Sequence, residues 1–459
     1  MANTYLTRTP SSAGNRRTFT ISTWVKRSSI ASGSKTIFGI GNSSSSTSDA
    51  DWFSLAFNGS TNRIRSVQYN TVIFDSNRLF RDTSAWYHIV YAVDTTQGTA
   101  SDRVKVYING VQETSFATVN YPSQNYDFVV NTTVPHMIGR EDGNGSGYFD
   151  GSMSYVALVD GTAELPTIFG ETDSVTGQWK IKTDITPSVA WGTNGFLILK
   201  NGNSLTDEST NTNNFTLGGG TLTKTEDNPS NVFATLNPLH IQGTTSRSIT
   251  YGNTRFYTTT TAWGSALSTL GFSSGKFYVE AKILTLNSST GYGSIAIQDI
   301  NAFGSSGNTN ANLSGNNASA GLSADYRSGQ SAIYSSGSTV SSNVGDFSNN
   351  DIIGMAIDMD NKALYIHKNG TYYQIGGVTG VPTSGASKTG AITIPTSVET
   401  CAIGLGSYTS AADFCYNFGN GYFLSTAVSS AGSNASNNGI FEYDVPAGYT
   451  ALSTKGLNI

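Results

Sequence analysis

The sequence predicts an all-β chain built from two antiparallel β-sandwiches in series. Apolar and polar residues alternate with period two in short segments along the chain, as strands with one buried face require. Asn-Gly dipeptides, which favour tight hairpin turns, separate several of these segments. A strand-turn-strand pattern in the first half also recurs in the second. The length of 459 residues agrees, because it exceeds one ordinary domain.

The alternating segments predict individual strands, and no segment has the spacing of an amphipathic helix. The strands are expected at 18–25, 86–93, 104–108, 155–159, 277–283, 352–359 and 363–367. The recurring pattern is a strand that ends in Asp, a turn, a second strand and Asn-Gly. It ends at Asn109-Gly110 in the first half and at Asn369-Gly370 in the second.

This repetition indicates two related sandwiches with separate cores. We expect the first at 1–165 and the second at 237–459. Residues 166–236 are rich in Asn, Thr, Gly and Asp, with one clear strand at 195–200. We interpret them as a structured connector that completes the first sandwich.

Composition excludes several classes of protein. Charged residues make up 12% of the chain, about half the usual share, and the formal net charge is -5 without a long basic run. We therefore expect no nucleic-acid partner. No apolar stretch approaches the roughly 20 residues that cross a bilayer, so we expect no membrane insertion. The first residues lack an export-signal pattern, and secretion by that route is not expected.

Motifs in each half resemble known families. The first half has 19–26 (FTISTWVK), 86–88 (WYH), 106–110 (VYING) and 149–153 (FDGSM), and it resembles laminin-G-like, concanavalin A-like domains. The second half has 275–280 (GKFYVE), 353–358 (IGMAID), Asn369-Gly370 and 416–419 (YNFG), and it resembles a SPRY domain. Both resemblances imply jelly-roll sandwiches.

The order of these parts carries a further resemblance. With 169–173 (FGETD), 235–239 (TLNPL) and the closing 446–452 (PAGYTAL), the chain resembles virion structural proteins of tailed bacteriophages, especially marine ones. The resemblance implies a tail fibre, appendage or capsid-decorating protein located in the virion and released on lysis. Its partners would be other virion proteins, further copies of itself and a host-surface glycan or protein. The alternative is a carbohydrate-binding module of a free or cell-surface protein, and a glycan depolymerase is the third hypothesis.

Candidate binding residues are aromatic side chains in polar loops, where they have no sandwich face to cover. The loops are expected at 41–53, 141–149 and 304–344. The candidates are Trp52, Tyr148, Tyr326 and Tyr334.

We expect no enzyme and no catalytic residue. Glycosidases need two carboxyl groups facing one bond, and the nearest imitation is Glu171 and Asp173. For Ser-His chemistry the candidate bases are few: His88 is interpreted as a packed residue of the sandwich and His367 as a solvent-facing one.

No cofactor is expected apart from calcium. Laminin-G-like domains often hold calcium in a rim loop, and Glu141, Asp142 and Asn144 offer hard oxygen ligands. The same loop also reads as an ordinary glycine-rich turn. Cys401 and Cys415 are predicted to be two reduced, buried thiols, with pairing across a hairpin near Tyr408 as the alternative.

Overall fold

The structure, a computed structural model, describes most of the chain. The described residues are 3–30, 32–41, 52–141, 145–243, 247–259, 261–286, 291–301, 319–325, 329–335, 337–409 and 412–458.

The chain is nearly all-β, as predicted, and divides into two compact units. Unit 1 is Met1–Lys224 and unit 2 is Thr225–Ile459. The described helical segments are short 3₁₀ segments at Ala100–Asp102, Pro166–Ile168, Thr186–Ser188, Pro382–Ser387 and Gly456–Asn458. None of the helices in the described ranges has the length and hydropathy to span a bilayer.

Unit 1 has two large antiparallel sheets. Its strands are β1 (Tyr5–Arg8), β2 (Thr18–Arg27), β3 (Ser34–Ile40), β4 (Phe53–Asn58), β5 (Arg63–Gln68), β6 (Thr71–Ser76), β7 (Trp86–Asp94), β8 (Val104–Ile108), β9 (Val111–Gln112), β10 (Phe116–Val119), β11 (His136–Ile138), β12 (Gly151–Asp160), β13 (Gly170–Thr172), β14 (Trp179–Ile181), β15 (Phe196–Ile198) and β16 (Thr216–Gly219). The eight-stranded sheet has the order β10-β6-β5-β4-β3-β11-β1-β16 and the six-stranded sheet β15-β12-β2-β7-β8-β9, while β13 pairs with β14.

The core of unit 1 lies between these two sheets. Phe53 of β4 and Tyr91 of β7 come from opposite sheets, and their ring centroids are 5.9 Å apart. Phe38 of β3 likewise stacks on Phe196 of β15 at 6.4 Å. Alternation along each strand sends every second side chain into this layer and the others to the outer faces.

Residues 166–194 cover the outer face of the six-stranded sheet. Phe169, Ile185 and Trp191 form a second buried cluster with Val90 and Val159, which point outward from β7 and β12. Strands of the predicted connector also join both sheets, since β15 pairs with β12 and β16 pairs with β1. This sheet is therefore buried on both sides.

Unit 2 is a second pair of sheets. Its strands are β17 (Leu236–Gln242), β18 (Arg247–Thr250), β19 (Arg255–Thr258), β20 (Trp263–Phe272), β21 (Lys276–Leu286), β22 (Tyr292–Asp299), β23 (Ala320–Asp325), β24 (Ala332–Ser335), β25 (Ser338–Ser342), β26 (Ile352–Asp358), β27 (Ala363–Lys368), β28 (Thr371–Tyr372), β29 (Gln374–Ile375), β30 (Val378–Thr379), β31 (Ile392–Thr393), β32 (Cys401–Tyr408), β33 (Ala412–Asn417), β34 (Tyr422–Phe423), β35 (Thr426–Ala427) and β36 (Thr450–Ala451). The seven-stranded sheet has the order β17-β20-β32-β22-β23-β24-β25. The nine-stranded sheet runs β18-β19-β33-β21-β26-β27-β28, with β31 beside β27 and β36 beside β21.

The repeated hairpin predicted from the sequence is confirmed. β7 pairs with β8 in unit 1, and β26 pairs with β27 in unit 2, both antiparallel. Asn109 and Asn369 follow with φ of 50° and 49°, values that Asn tolerates better than most residues. Each Asn side chain accepts a hydrogen bond of 2.8 Å from the first strand, at the N–H of His88 and of Ile352.

The structure tests two predictions about residues in unit 2. Cys401 and Cys415 are free, buried thiols as predicted, but they lie on β32 and β33, which belong to different sheets and do not face each other across a hairpin. Burial raises the pKa of both thiols to about 12, which keeps them protonated. His367 was expected to face solvent, and this is wrong: it is 1% exposed.

A buried carboxylate ties three segments of unit 1 together. Asp160, at the end of β12, accepts hydrogen bonds from the N–H of Asn15 at 2.7 Å and of Asn194 at 2.9 Å. The Asn131 side chain donates a third bond at 3.0 Å. Asp160 thus joins the N-terminal segment, the loop before β11 and the segment that covers the six-stranded sheet.

Substitution Asp160→Ala should lower the unfolding free energy of unit 1 by roughly 2–4 kcal/mol, because buried donors lose their acceptor. Urea unfolding followed by tryptophan fluorescence measures it, since five of the six tryptophans lie in unit 1. Asp102→Ala is the control, because this exposed residue only pairs with Lys105 and should cost about 0–1 kcal/mol. Equal losses in the two variants would contradict the role of Asp160.

A second buried carboxylate organises unit 2. Glu280 on β21 is fully buried and accepts bonds from the N–H groups of Glu442 and Tyr443, at 2.9 and 2.8 Å. The Tyr278 hydroxyl donates to it at 3.1 Å and lies 2.7 Å from the His367 ring. Burial raises the pKa of Glu280 to about 7, and the hydrogen bonds keep it from rising further.

Glu280 should make the stability of unit 2 depend on pH. Its folded pKa lies above the unfolded value, so its contribution is present below about pH 4.5 and is lost as the pH rises through 7. The unfolding free energy of unit 2 should fall by roughly 2–4 kcal/mol between pH 5 and 8, and Glu280→Gln should remove this fall. Burial lowers the pKa of His367, so this residue reduces stability as the pH falls below 6.5, the opposite direction to Glu280. The wild-type protein and the variant both contain His367, so the difference between their pH curves isolates Glu280. The measurement is urea unfolding read through hydrogen exchange of β21 peptides, and parallel pH curves would contradict the assignment.

Candidate functional site

The outer face of the eight-stranded sheet in unit 1 carries a polar patch. Ile64 on β5 belongs to the core, so its neighbours Arg63 and Arg65 point to the other face. The register aligns Thr36, Ala56, Arg65 and Asp75 across β3, β4, β5 and β6. We call this patch the polar face, and it consists of Ser34, Thr36, Asn58, Arg63, Arg65 and Asp75.

Five buried atoms of the polar face have no hydrogen-bond partner in the part of the chain that the structure describes. They are Ser34 Oγ, Thr36 Oγ1, Arg63 Nε, Arg65 Nε and Asp75 Oδ1. Buried polar atoms in native proteins are nearly always bonded to protein, ordered water or a ligand, because burial without a bond costs about 1–3 kcal/mol. Donors and acceptors so close together suit a molecule that presents both.

The charges of the polar face are only loosely paired. Arg63 Nη1 lies 4.0 Å from Asp75 Oδ2, at the outer limit of an ion pair. Burial raises the pKa of Asp75, while the guanidinium groups of Arg63 and Arg65 act to lower it. The carboxylate is therefore partly desolvated without a close partner for its Oδ1.

An aromatic cluster is connected to this face through one loop. The Thr36 N–H donates to the Gly147 carbonyl at 2.8 Å, which holds residues 145–149 beside β3. The Arg140 guanidinium lies over the Tyr5 ring at 4.4 Å and near the Tyr148 ring at 5.8 Å. Gly147 has φ of 64°, and a Cβ there would come within 2.9 Å of Thr36 Oγ1, so only glycine fits.

The predicted aromatic residues have different surroundings. Tyr148 is half-buried against Tyr5, at 6.2 Å between ring centroids. Trp52 is half-buried directly before β4, where its carbonyl accepts from the Tyr69 N–H. Tyr334 was expected in a loop, and this is wrong, because it lies on β24 paired with Gly321. Tyr326 lies outside the described residues.

The calcium site stays a prediction. Asp142 and Asn144 lie outside the described residues, and the third expected ligand, Glu141, receives a bond from the Ser146 hydroxyl at 3.4 Å. Within the described ranges no three His, Cys, Asp or Glu side chains are grouped as metal ligands.

A Ser-His pair in unit 1 has the wrong hydrogen-bond direction for catalysis. His88 Nε2 lies 3.0 Å from Ser22 Oγ, and the Trp179 indole N–H donates to His88 Nδ1 at 3.0 Å. An indole N–H only donates, so Nδ1 accepts and Nε2 carries the proton. Nε2 then cannot remove a proton from Ser22. Burial also lowers the pKa of His88 to about 3, and the packed position predicted for it is confirmed.

The acidic pair Glu171 and Asp173 also lacks the features of a glycosidase. Lys180 lies 3.3 Å from both carboxylates on the β13-β14 hairpin. Backbone N–H groups of Thr176 and Val175 lower the pKa of Asp173 to about 2. Asp173 is therefore not set up as the protonated general acid that this chemistry needs, and Glu171 is paired with the same lysine.

Sequence reasoning missed the polar face itself. The signal was present in Arg63-Ile64-Arg65, an alternation that places two cations on one side of a strand. It also missed a three-ring cluster in unit 2, where Tyr292 stacks on Tyr408 at 4.5 Å and Trp263 lies 5.3 Å from Tyr292. These rings meet because register aligns their strands, and spacing along the chain does not reveal it.

Comparison with known proteins agrees with the fold of unit 1. Residues 2–168 match the family model Laminin_G_3, described as the concanavalin A-like lectin/glucanases superfamily. The all-β class with antiparallel sheets that the sequence predicts is confirmed for the chain, and the similarity to concanavalin A-like jelly rolls covers residues 2–168. The search of curated proteins returned no match.

Several solved structures are similar to parts of the chain. The SPRY domain of human HERC1 has 14% identity over 39% of this chain and 96% of its own, with a TM-score of 0.29. Domain 4 of the arabinanase AbnA from Geobacillus stearothermophilus, solved with arabinotriose, has 23% identity over 35% of this chain and 68% of its own, with a TM-score of 0.25. A Bacteroides ovatus protein described as carbohydrate binding has 14% identity over 48% of this chain and 58% of its own, with a TM-score of 0.32. At these scores none supports an argument about function.

Ser22 should not react as a catalytic nucleophile. The Nε2 proton of His88 points at its hydroxyl, so a fluorophosphonate reagent that labels activated serines should leave Ser22 unmodified. Peptide mass spectrometry of the treated protein measures this, with trypsin as the positive control. Stoichiometric labelling of Ser22 would show that the opposite tautomer forms.

Proposed function

We propose that the chain is a carbohydrate-binding protein that holds its glycan on the polar face of unit 1. The observation that carries the proposal is the group of five buried, unpartnered polar atoms on one outer sheet face. The match of residues 2–168 to a lectin/glucanase superfamily supports it.

A glycan fits the chemistry of this face. Each sugar hydroxyl both donates and accepts, so neighbouring hydroxyls can satisfy the Arg65 Nε donor and the Asp75 Oδ1 acceptor together. The hydroxyls of Ser34 and Thr36 add groups of the same kind. Tyr148, held beside the face by the loop contact at Gly147, offers an aromatic surface for the apolar face of a sugar ring.

Binding of the full chain to a glycan array tests this proposal. The best ligand should bind Tyr148→Ala and Thr36→Val at least tenfold more weakly, a loss of about 1–3 kcal/mol. Tyr251→Ala is the matched control, because this tyrosine of unit 2 is 48% exposed and far from the polar face in sequence. Absence of binding to every glycan, or equal loss in the control, would refute the proposal.

A second candidate is a structural protein of a tailed bacteriophage particle. The order of sequence motifs favours it, from 19–26 through 169–173 to 446–452. In that role the polar face would attach the particle to a host-surface glycan, and further copies of the chain and other virion proteins would be its partners.

Mass spectrometry of purified virions tests the second candidate. The expected result is this chain in stoichiometric amount in the particle and a homo-oligomer by light scattering in solution. Recovery of the chain only from cells or medium, with none in particles, would leave the free carbohydrate-binding protein as the function.

A further inference from the structure

The charged side chains around the polar face leave a positive balance. The charges of the polar face are the guanidinium groups of Arg63 and Arg65 and the carboxylate of Asp75. Two cations against one anion leave one positive charge on this face, although the whole chain has a net charge of -5. A local charge opposite in sign to that of the protein selects for an anionic ligand.

The two arginines of β5 have the geometry for a carboxylate. Arg63 and Arg65 are two residues apart and project from the same face of the strand. The Nε of each is buried and without a partner. A carboxylate pairs with a guanidinium most strongly through two parallel bonds, one of which can come from Nε–H.

Asp75 already offers a carboxylate to these arginines but does not satisfy them. It lies opposite Arg65 on β6, yet the closest approach is the 4.0 Å separation from Arg63. Neither Nε atom has a hydrogen-bond partner among the described residues, and neither has the Oδ1 atom of Asp75. Asp75 therefore competes weakly with an incoming anion and can bind a neighbouring hydroxyl.

We propose that the polar face recognises a glycan that bears a carboxylate, such as a uronic acid unit, with Arg65 and Arg63 binding the carboxylate. This inference rests on the proposed function and narrows its ligand class. Thr36 and Asp75 bind hydroxyls of the same sugar, and Tyr148 borders the site. A sulfated glycan presents a different anion, and a neutral glycan presents none.

Binding of the full chain to polygalacturonate and to its fully methyl-esterified form tests the inference, because esterification removes the charge and keeps the sugar. The acid form should bind at least tenfold more tightly. Arg65→Gln should remove most of this preference and change binding of the ester less than threefold. Arg65→Lys keeps the charge but not the planar fork, and should lose most of the preference as well. Arg17→Gln, on an exposed arginine paired with Asp127, is the matched control and should change neither.

Asp75→Asn gives a result that a merely structural role would not produce. Removal of the competing carboxylate should strengthen binding of the acid form several-fold, while circular dichroism remains unchanged. Weakened or unaltered binding of the acid form would overturn the role given to Asp75 and, with it, the inference.

The remaining outcomes separate the inference from the proposed function. Equal binding of acid and ester overturns the inference and leaves glycan binding intact. If dextran sulfate binds as tightly as polygalacturonate, and Arg65→Gln weakens both equally, the polar face is a general anion site. That result also overturns the inference. If neither these ligands nor any array glycan binds, the proposed function fails as well.

Discussion

The packing of residues 166–194 against the six-stranded sheet decides which surface of unit 1 is open to ligands. Trp24 stacks on His88 at 4.7 Å, and Trp179 stacks on His88 at 5.9 Å, so three rings join the sheet to its cover. Trp179 also lies against Gly110 and Gly170, where a Cβ would come within 2.5 and 2.6 Å of its ring. The six-stranded sheet is thus buried on both faces, and the eight-stranded sheet keeps a polar outer face on which Arg65 and Asp75 project.

The protein uses its few charged residues in two physically different ways. Asp160 and Glu280 are buried with several donors each, so their carboxylates hold segments together. Arg65 and Asp75 also have buried atoms, but these atoms lack protein partners. A satisfied buried group stabilises the fold, whereas an unsatisfied buried group costs free energy that a bound ligand recovers. This contrast separates the polar face from the structural networks.

Sequence reasoning predicted local features well and the surroundings of residues poorly. The hairpins that end at Asn109 and Asn369 follow from alternation and from the backbone freedom of Asn-Gly. Tyr148 was identified as a loop aromatic, but the cation beside it, Arg140, was not. His367 was assigned to solvent because alternation indicates only which face a residue occupies. The Tyr443 ring packs against the His367 ring, with 5.2 Å between the centroids, and the two residues are 76 positions apart in sequence.

The sequence by itself determined the all-β class, several of the strands and the repeated hairpin, because period-two alternation and turn chemistry act between residues a few positions apart. Only the tertiary structure decided which outer face is covered and which remains polar. Thr36, Arg65 and Asp75 come together through strand register, and the segment that covers His88 follows it by about 80 positions or more. Register and cover depend on packing between distant segments, and free energy of that kind leaves no periodic signal in the chain.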